Sequence, residues 1–98
     1  MVTTYNTSVA TNGVVYPTGC SVHSVNVTGA GAGGTMVTIY DNPSTASGRI
    51  IWESPALDTG SYALGNFVGG GTVAQNGVYL AFTGTYTTPP TINIVYEP

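Results

Sequence analysis

The feature that most constrains this chain is the two-residue period of its apolar segments. Val78, Leu80 and Phe82 alternate with their neighbours, and so do Val37 and Ile39. Such alternation places one set of side chains on a single face of a β-strand. No long stretch has the i, i+3, i+4, i+7 spacing of a helix, because glycines or prolines interrupt every candidate. The chain is therefore predicted to be all-β.

Turn signals divide the chain into about seven short strands. They recur at intervals of roughly 8–12 residues, which is typical of an antiparallel β-sandwich with a jelly-roll or immunoglobulin-like arrangement. Segment 61–68 is predicted to be a weak strand or an irregular crossover. The strands are predicted at 14–16, 20–28, 35–41, 49–53, 72–74, 78–83 and around 92–96. The core is predicted to contain Val37, Ile39, Ile50, Trp52, Val78, Leu80, Phe82, Ile92 and Ile94.

The second of these strands changes parity partway along. Val25 and Val27 share one face, whereas Cys20 and Val22 have the opposite parity. Two interpretations are open: both faces of this strand are buried, or a β-bulge lies near His23.

Length and composition suggest one domain preceded by an arm. The chain has 98 residues, which is a normal size for a single domain. Residues 1–12 are polar and rich in threonine, and they are predicted to form an extended N-terminal arm. Residues 13–98 are predicted to form a single β-sandwich domain.

The scarcity of charge excludes several functions. Only 5% of the residues are charged, against about 25% in an ordinary protein. One arginine, no lysine and a net charge of −3 cannot supply the phosphate contacts that nucleic-acid binding needs. Anionic membrane surfaces are excluded for the same reason. The first residues lack the basic and apolar regions of a signal peptide, so synthesis in the cytoplasm is expected.

No set of residues suggests catalysis or a cofactor. Cys20 and His23 are the one candidate nucleophile pair, but their odd spacing on a strand sends the two side chains to opposite faces. We therefore expect no enzymatic activity, no catalytic residues, no cofactor and no metal site. The pair is predicted to be chemically idle.

Two further patterns have simpler interpretations than ligand binding. Asp41, Asn42 and Asp58 offer oxygen ligands for calcium, but the looped spacing that gathers six or more of them is missing. They are predicted to be turn-forming residues. The glycine-rich segment 29–34 is predicted to be a hairpin loop, since no lysine and no helix pattern follow it.

Tyrosine is the residue type that most suggests an interaction. Tyrosine offers a large contact area at low entropic cost, although it is also common in strands. The seven are Tyr5, Tyr16, Tyr40, Tyr62, Tyr79, Tyr86 and Tyr96.

The order of segments resembles that of small β-sandwich virion proteins of tailed bacteriophages. The segments are 37–42 (VTIYDN), 48–52 (GRIIW), 75–80 (QNGVYL) and 90–97 (PTINIVYE), and the likeness covers roughly residues 20–97. Proteins of this kind decorate or cement a capsid, or build head and tail appendages. The resemblance implies a structural virion protein that binds and stabilises the outer surface of a phage capsid, with the major capsid protein as its partner. It implies no active-site residues.

An alternative is a carbohydrate- or receptor-binding module of a phage tail or head fibre. That function needs aromatic side chains at loop tips, whereas a capsid-binding protein needs them in flat, broad contacts. On the capsid, several copies are expected to associate as a trimer or another symmetric ring. The reasons are that charged residues that would block edge-to-edge pairing are almost missing, that tyrosine and threonine are abundant, and that the predicted arm of polar residues 1–12 is long enough to reach a neighbour. The expected location is the capsid surface of the virion.

Overall fold

The computed structural model describes residues 3–7, 12–28, 36–54, 62–66, 71–83 and 91–98. Within these ranges no helix has the length and apolarity needed to cross a membrane. The strands are β1 (Thr3–Thr7), β2 (Gly13–Tyr16), β3 (Cys20–Thr28), β4 (Met36–Asp41), β5 (Arg49–Glu53), β6 (Tyr62–Asn66), β7 (Thr72–Ala74), β8 (Val78–Thr83) and β9 (Thr91–Glu97).

The strands form two antiparallel sheets that pack together as a β-sandwich. One sheet has the order β1-β9-β3-β6, with β7 also paired to β3, and the other has the order β2-β8-β4-β5. The first strand thus pairs with the last, the second with the second-last, and the fourth with the fifth. β6 and β7 together occupy the one remaining position beside β3. This nested pairing is that of a jelly roll. The predicted all-β sandwich is therefore confirmed.

The core lies between the two sheets and consists mainly of β-branched residues. Six of the nine predicted core residues are fully buried, namely Val37, Ile39, Val78, Leu80, Ile92 and Ile94. Trp52 and Phe82 are partly buried and pack against this cluster. The prediction for Ile50 is wrong, because its side chain is 48% exposed.

A β-bulge explains the error at Ile50. Trp52 lies opposite Ile39, but Ile50 lies opposite Tyr40, so Ile51 is an extra residue in β5. The extra residue reverses the parity of the strand. Ile50 and Trp52 therefore face opposite sides of the sheet, although their spacing in the sequence predicts one side.

A second bulge resolves the parity change in β3. Val22 lies opposite Tyr96 and Ser24 lies opposite Val95, which leaves His23 as the extra residue. Cys20 and Val22 on one side of the bulge, and Val25 and Val27 on the other, are all buried in the same core. Of the two interpretations left open by the sequence, the bulge near His23 is confirmed.

The structure differs from the sequence prediction in the first residues. Thr3–Thr7, which fall within the predicted arm, form β1 and pair with β9 in regular antiparallel register. The weak strand predicted within 61–68 is present as β6. The predicted glycine loop at 29–34 and the turn residue Asp58 lie outside the described residues.

Candidate functional site

Among the residues that the structure describes, the most buried charged group is the carboxylate of Asp41, at the end of β4. Its side chain is 3% exposed and accepts hydrogen bonds from the backbone N–H groups of Asn76, at 2.8 Å, and Gln75, at 3.1 Å. The guanidinium of Arg49, on β5, donates a third at 3.0 Å and also donates to the carbonyl of Val73. Asp41 thus joins the β4–β5 hairpin to the turn between β7 and β8.

The electrostatics of Asp41 indicate a structural role. Burial alone would raise its pKa, but the two backbone N–H groups and the Arg49 guanidinium outweigh burial and hold the pKa below its ordinary value. The group is therefore ionised at neutral pH. The three donors come from β5 and from the turn between β7 and β8, so the carboxylate acts as a cross-link between the β4–β5 hairpin and that turn.

Asn42, the next residue, organises the β4–β5 turn. Its Oδ1 accepts hydrogen bonds from the backbone N–H groups of Ser44 and Thr45, both at 2.9 Å, and its Nδ2 donates to the carbonyl of Ser47. The prediction that Asn42 is turn-forming is confirmed. Among the described residues, no three His, Cys, Asp or Glu side chains are grouped so that they could hold a metal ion.

Cys20 and His23 make separate contacts in the structure. Cys20 is a free thiol in the core, and burial, followed by the negative charge of Asp41, raises its pKa. His23 lies at the bulge of β3, where its Nε2 is 3.3 Å from Oε1 of Glu97 on β9. A buried thiol of raised pKa is a poor nucleophile. His23, the other member of the candidate pair, contacts Glu97. That Cys20 and His23 have no part in any biological activity stays a prediction.

The tyrosines divide into two groups by position. Tyr16 and Tyr96 pack ring against ring, with centroids 5.3 Å apart, and Tyr5 packs against the core. Tyr40 and Tyr79 instead lie opposite one another on the outer face of the four-stranded sheet. The side chains of Tyr62 and Tyr86 lie outside the described residues.

Tyr40 and Tyr79 belong to an apolar row that crosses all four strands of this sheet. Val14 on β2 lies opposite Tyr79, Tyr79 lies opposite Tyr40, and Tyr40 lies opposite Ile50 on β5. Val14 is 42% exposed and Ile50 is 48% exposed, while the two tyrosines are intermediate. We call Val14, Tyr79, Tyr40 and Ile50 the tyrosine row. The sequence pattern alone places Ile50 on the inner face with Trp52, and the bulge in β5 turns Ile50 outward into this row.

The outer face of the other sheet is mixed. Ser21, Asn26 and Asn93 lie on it with His23 and Glu97. Val95 and Val73, which is 57% exposed, lie on the same face, but no described aromatic side chain does. No pocket is found in the part of the chain that the structure describes.

No family model, no curated protein and no solved structure matches the chain.

Proposed function

We propose that this chain is a structural virion protein that binds the outer surface of a phage capsid and stabilises it, and that the tyrosine row is the surface that makes the contact. The observation that carries the proposal is the placement of Tyr40 and Tyr79 side by side on the outer face of the four-stranded sheet, flanked by exposed Val14 and Ile50. Tyrosine is enriched at the centres of protein interfaces, where charged residues are depleted.

The shape of the surface favours a broad partner over a small ligand. The four strands span about 14 Å, since neighbouring strands lie about 4.8 Å apart. The described connections at one end of the sandwich, 17–19, 42–48 and 75–77, carry no aromatic residue. The described aromatic residues therefore lie in strands and not at loop tips, where a carbohydrate-binding module requires them. Two of them, Tyr40 and Tyr79, lie on an outer sheet face, as a flat contact requires.

The size of the row implies that a single copy binds weakly. One row of side chains covers far less than the roughly 800 Å² per partner of a stable complex between two proteins. A capsid repeats the same surface many times, so joined copies would gain affinity through multivalency. With no charged side chain in the row, the contact should depend little on salt.

The test is binding to capsids assembled without this chain. We expect the wild-type chain to co-sediment with them, and the double variant Tyr40→Ala/Tyr79→Ala to bind at least about tenfold less, in line with the cost of removing central interface tyrosines. Val73→Ala is the control, because Val73 is 57% exposed but lies on β7 of the other sheet.

Circular dichroism of both variants shows whether the fold is retained. Equal binding by the double variant and the wild type would contradict the role of the row. If the wild-type chain binds no capsid but is retained on a glycan array through the same two tyrosines, the carbohydrate-binding alternative is correct.

A further inference from the structure

The four edges of the two sheets are unequally protected against pairing with another chain. On β5, Ile51 forms a bulge, and the charged residues Arg49 and Glu53 stand at the two ends. On β2, Val15 is an extra residue between Val14 and Tyr16, and a proline follows the strand. Bulges, charges and prolines are the devices that keep sheet edges from joining.

The edges of the five-stranded sheet differ from one another. The edge beside β3 is divided between β6 and β7, because β7 pairs with residues 20–22, β6 pairs with residues 24–28, and His23 lies between the two pairings. β1 at the opposite edge is continuous. Its five residues pair with β9 in unbroken register, and it contains no charge, no proline and no bulge. Within the described residues, β9 is the one strand that pairs with β1.

The sequence of β1 is compatible with pairing to a second copy of itself. In antiparallel pairing centred on Tyr5, Tyr5 faces Tyr5 of the second copy, Thr3 faces Thr7, and Thr4 faces Asn6. In each opposed pair, both residue numbers are odd or both are even, so the two side chains point to the same face of the joined sheet. The faces that cover the cores of the two copies therefore lie on the same side. No like charges meet anywhere along the pairing, because the strand has none.

We propose that two copies of this chain associate through their β1 edges, which joins their five-stranded sheets around a two-fold axis perpendicular to the sheet. A single pair of five-residue strands is a small interface, so the dimer is weak in solution and forms at high local concentration. The two-fold axis directs both tyrosine rows to the same side of the dimer, apart from the tilt that sheet twist introduces. The dimer would therefore present two contact surfaces to one shell, although its existence does not depend on the capsid proposal.

The first experiment measures association of the pure full chain by sedimentation equilibrium, up to roughly millimolar concentration. We expect a reversible dimer. The variant Thr4→Lys/Asn6→Lys places lysines directly opposite one another across the axis, about 5 Å apart between Cα atoms, and we expect its Kd to rise at least about tenfold, with partial recovery in high salt. The control Ser44→Lys/Ala46→Lys adds the same charge in the exposed β4–β5 turn and should leave the Kd unchanged.

The second experiment tests the register by cross-linking. Cα atoms of directly opposed strand residues are about 4.5–5.5 Å apart, within the range of a disulfide. Tyr5→Cys should therefore yield a disulfide-linked dimer on mild oxidation. Thr3→Cys should not, because its two copies would lie about 13 Å apart along the strands. The native Cys20 is buried and does not compete.

Three results would overturn the proposal: a monomer at every concentration, a dimer that the double lysine variant does not weaken, or a trimer that forms without β1. If Tyr5→Cys does not fold, the lysine variant and its control decide between these outcomes. Because no capsid is present, a failure here is distinguishable from a failure of the proposed function.

Discussion

Replacing Asp41 by asparagine tests whether one buried carboxylate holds the turn end of the sandwich together. The variant Asp41→Asn keeps the shape of the side chain and one acceptor oxygen. It removes the charge that Arg49 pairs with, and it turns an amide NH₂ group toward one of the two backbone N–H donors of Gln75 and Asn76. One donor is then left without an acceptor.

The magnitude follows from these contacts. A hydrogen bond to a charged group contributes about 1.5–3 kcal/mol, and a buried donor left unpaired costs about 1–3 kcal/mol. Gln75 and Asn76 are exposed residues, so water relieves part of this cost. We therefore expect Asp41→Asn to lower the free energy of unfolding by about 2–3 kcal/mol at pH 7. Arg49→Gln is the matched control and should cost about 0.2–1 kcal/mol, since the Arg49 side chain is 52% exposed.

The pH dependence gives the sign of the effect. The pKa of Asp41 is lower in the folded protein than its ordinary value near 3.9 in the unfolded chain. Its stabilisation is therefore fully present above the unfolded-state pKa and is lost as the pH falls through the lower folded-state pKa. Asparagine does not titrate, so the difference in stability between wild type and Asp41→Asn should shrink below about pH 4.

Urea unfolding followed by the fluorescence of Trp52 provides the measurement, because Trp52 is the single tryptophan and packs against the core. A loss that is equal at pH 3 and pH 7 would refute the charge argument. A loss below about 0.5 kcal/mol at pH 7, the size of an ordinary surface substitution, would refute the cross-linking role itself.

Three further predictions concern the core and the backbone. Leu80→Ala should cost about 2–5 kcal/mol in urea unfolding because Leu80 is fully buried, whereas Val14→Ala should stay within about 0.5 kcal/mol. Gly71→Ala should cost about 1–3 kcal/mol, because Gly71 has φ +93° and an added Cβ would lie 2.6 Å from the carbonyl oxygen of Val22, while Gly13→Ala meets open space and should change stability by less than about 1 kcal/mol. Cys20 should react with a thiol reagent far more slowly in the folded protein than in urea, since its thiol is buried and its pKa is raised, and equal rates would contradict this.

The alternation of apolar residues was sufficient to predict most strands. β3, β5, β7 and β8 begin and end where the pattern places them. These strands each have a strong pattern or clear turn signals on both sides. The same reasoning failed at Ile50, because a bulge depends on the pairing partner and leaves no mark in local periodicity.

β1 was missed for a different reason. Its sequence, TTYNT, has one large apolar side chain, Tyr5, so it shows no apolar period. It becomes a strand through its regular pairing with β9, a contact between residues nearly ninety positions apart in the chain. Local composition contains no information about such a contact, and a polar edge strand therefore looks like an arm.

The tyrosine row could be predicted only in part. The sequence shows that Tyr40 and Tyr79 lie in strands, but not that β4 and β8 are neighbours or that their register sets the two rings opposite one another. The Asp41 cross-link was likewise hidden, because its two backbone donors, the N–H groups of Gln75 and Asn76, lie 34 and 35 residues from Asp41 in the chain. Both sites depend on tertiary pairing, which is where the sequence pattern stops being informative.

Because charged residues are scarce, the edges of the two sheets are protected mainly by the geometry of strand pairing. A chain with five charged residues cannot protect four sheet edges with lysines or acids, and it has no lysine at all. Bulges at Val15 and Ile51 change the local pairing without any charge, so they protect the edges of the four-stranded sheet and at the same time orient Val14 and Ile50. β1 has no such device. A bulge there would remove the regular pairing with β9, which is what makes this polar segment a strand. β1 is therefore the edge that a bulge cannot protect without loss of the strand itself. The shortage of charge that leaves the protection of β2 and β5 largely to bulges leaves β1 without any such device, which is the basis of the association that we propose through β1.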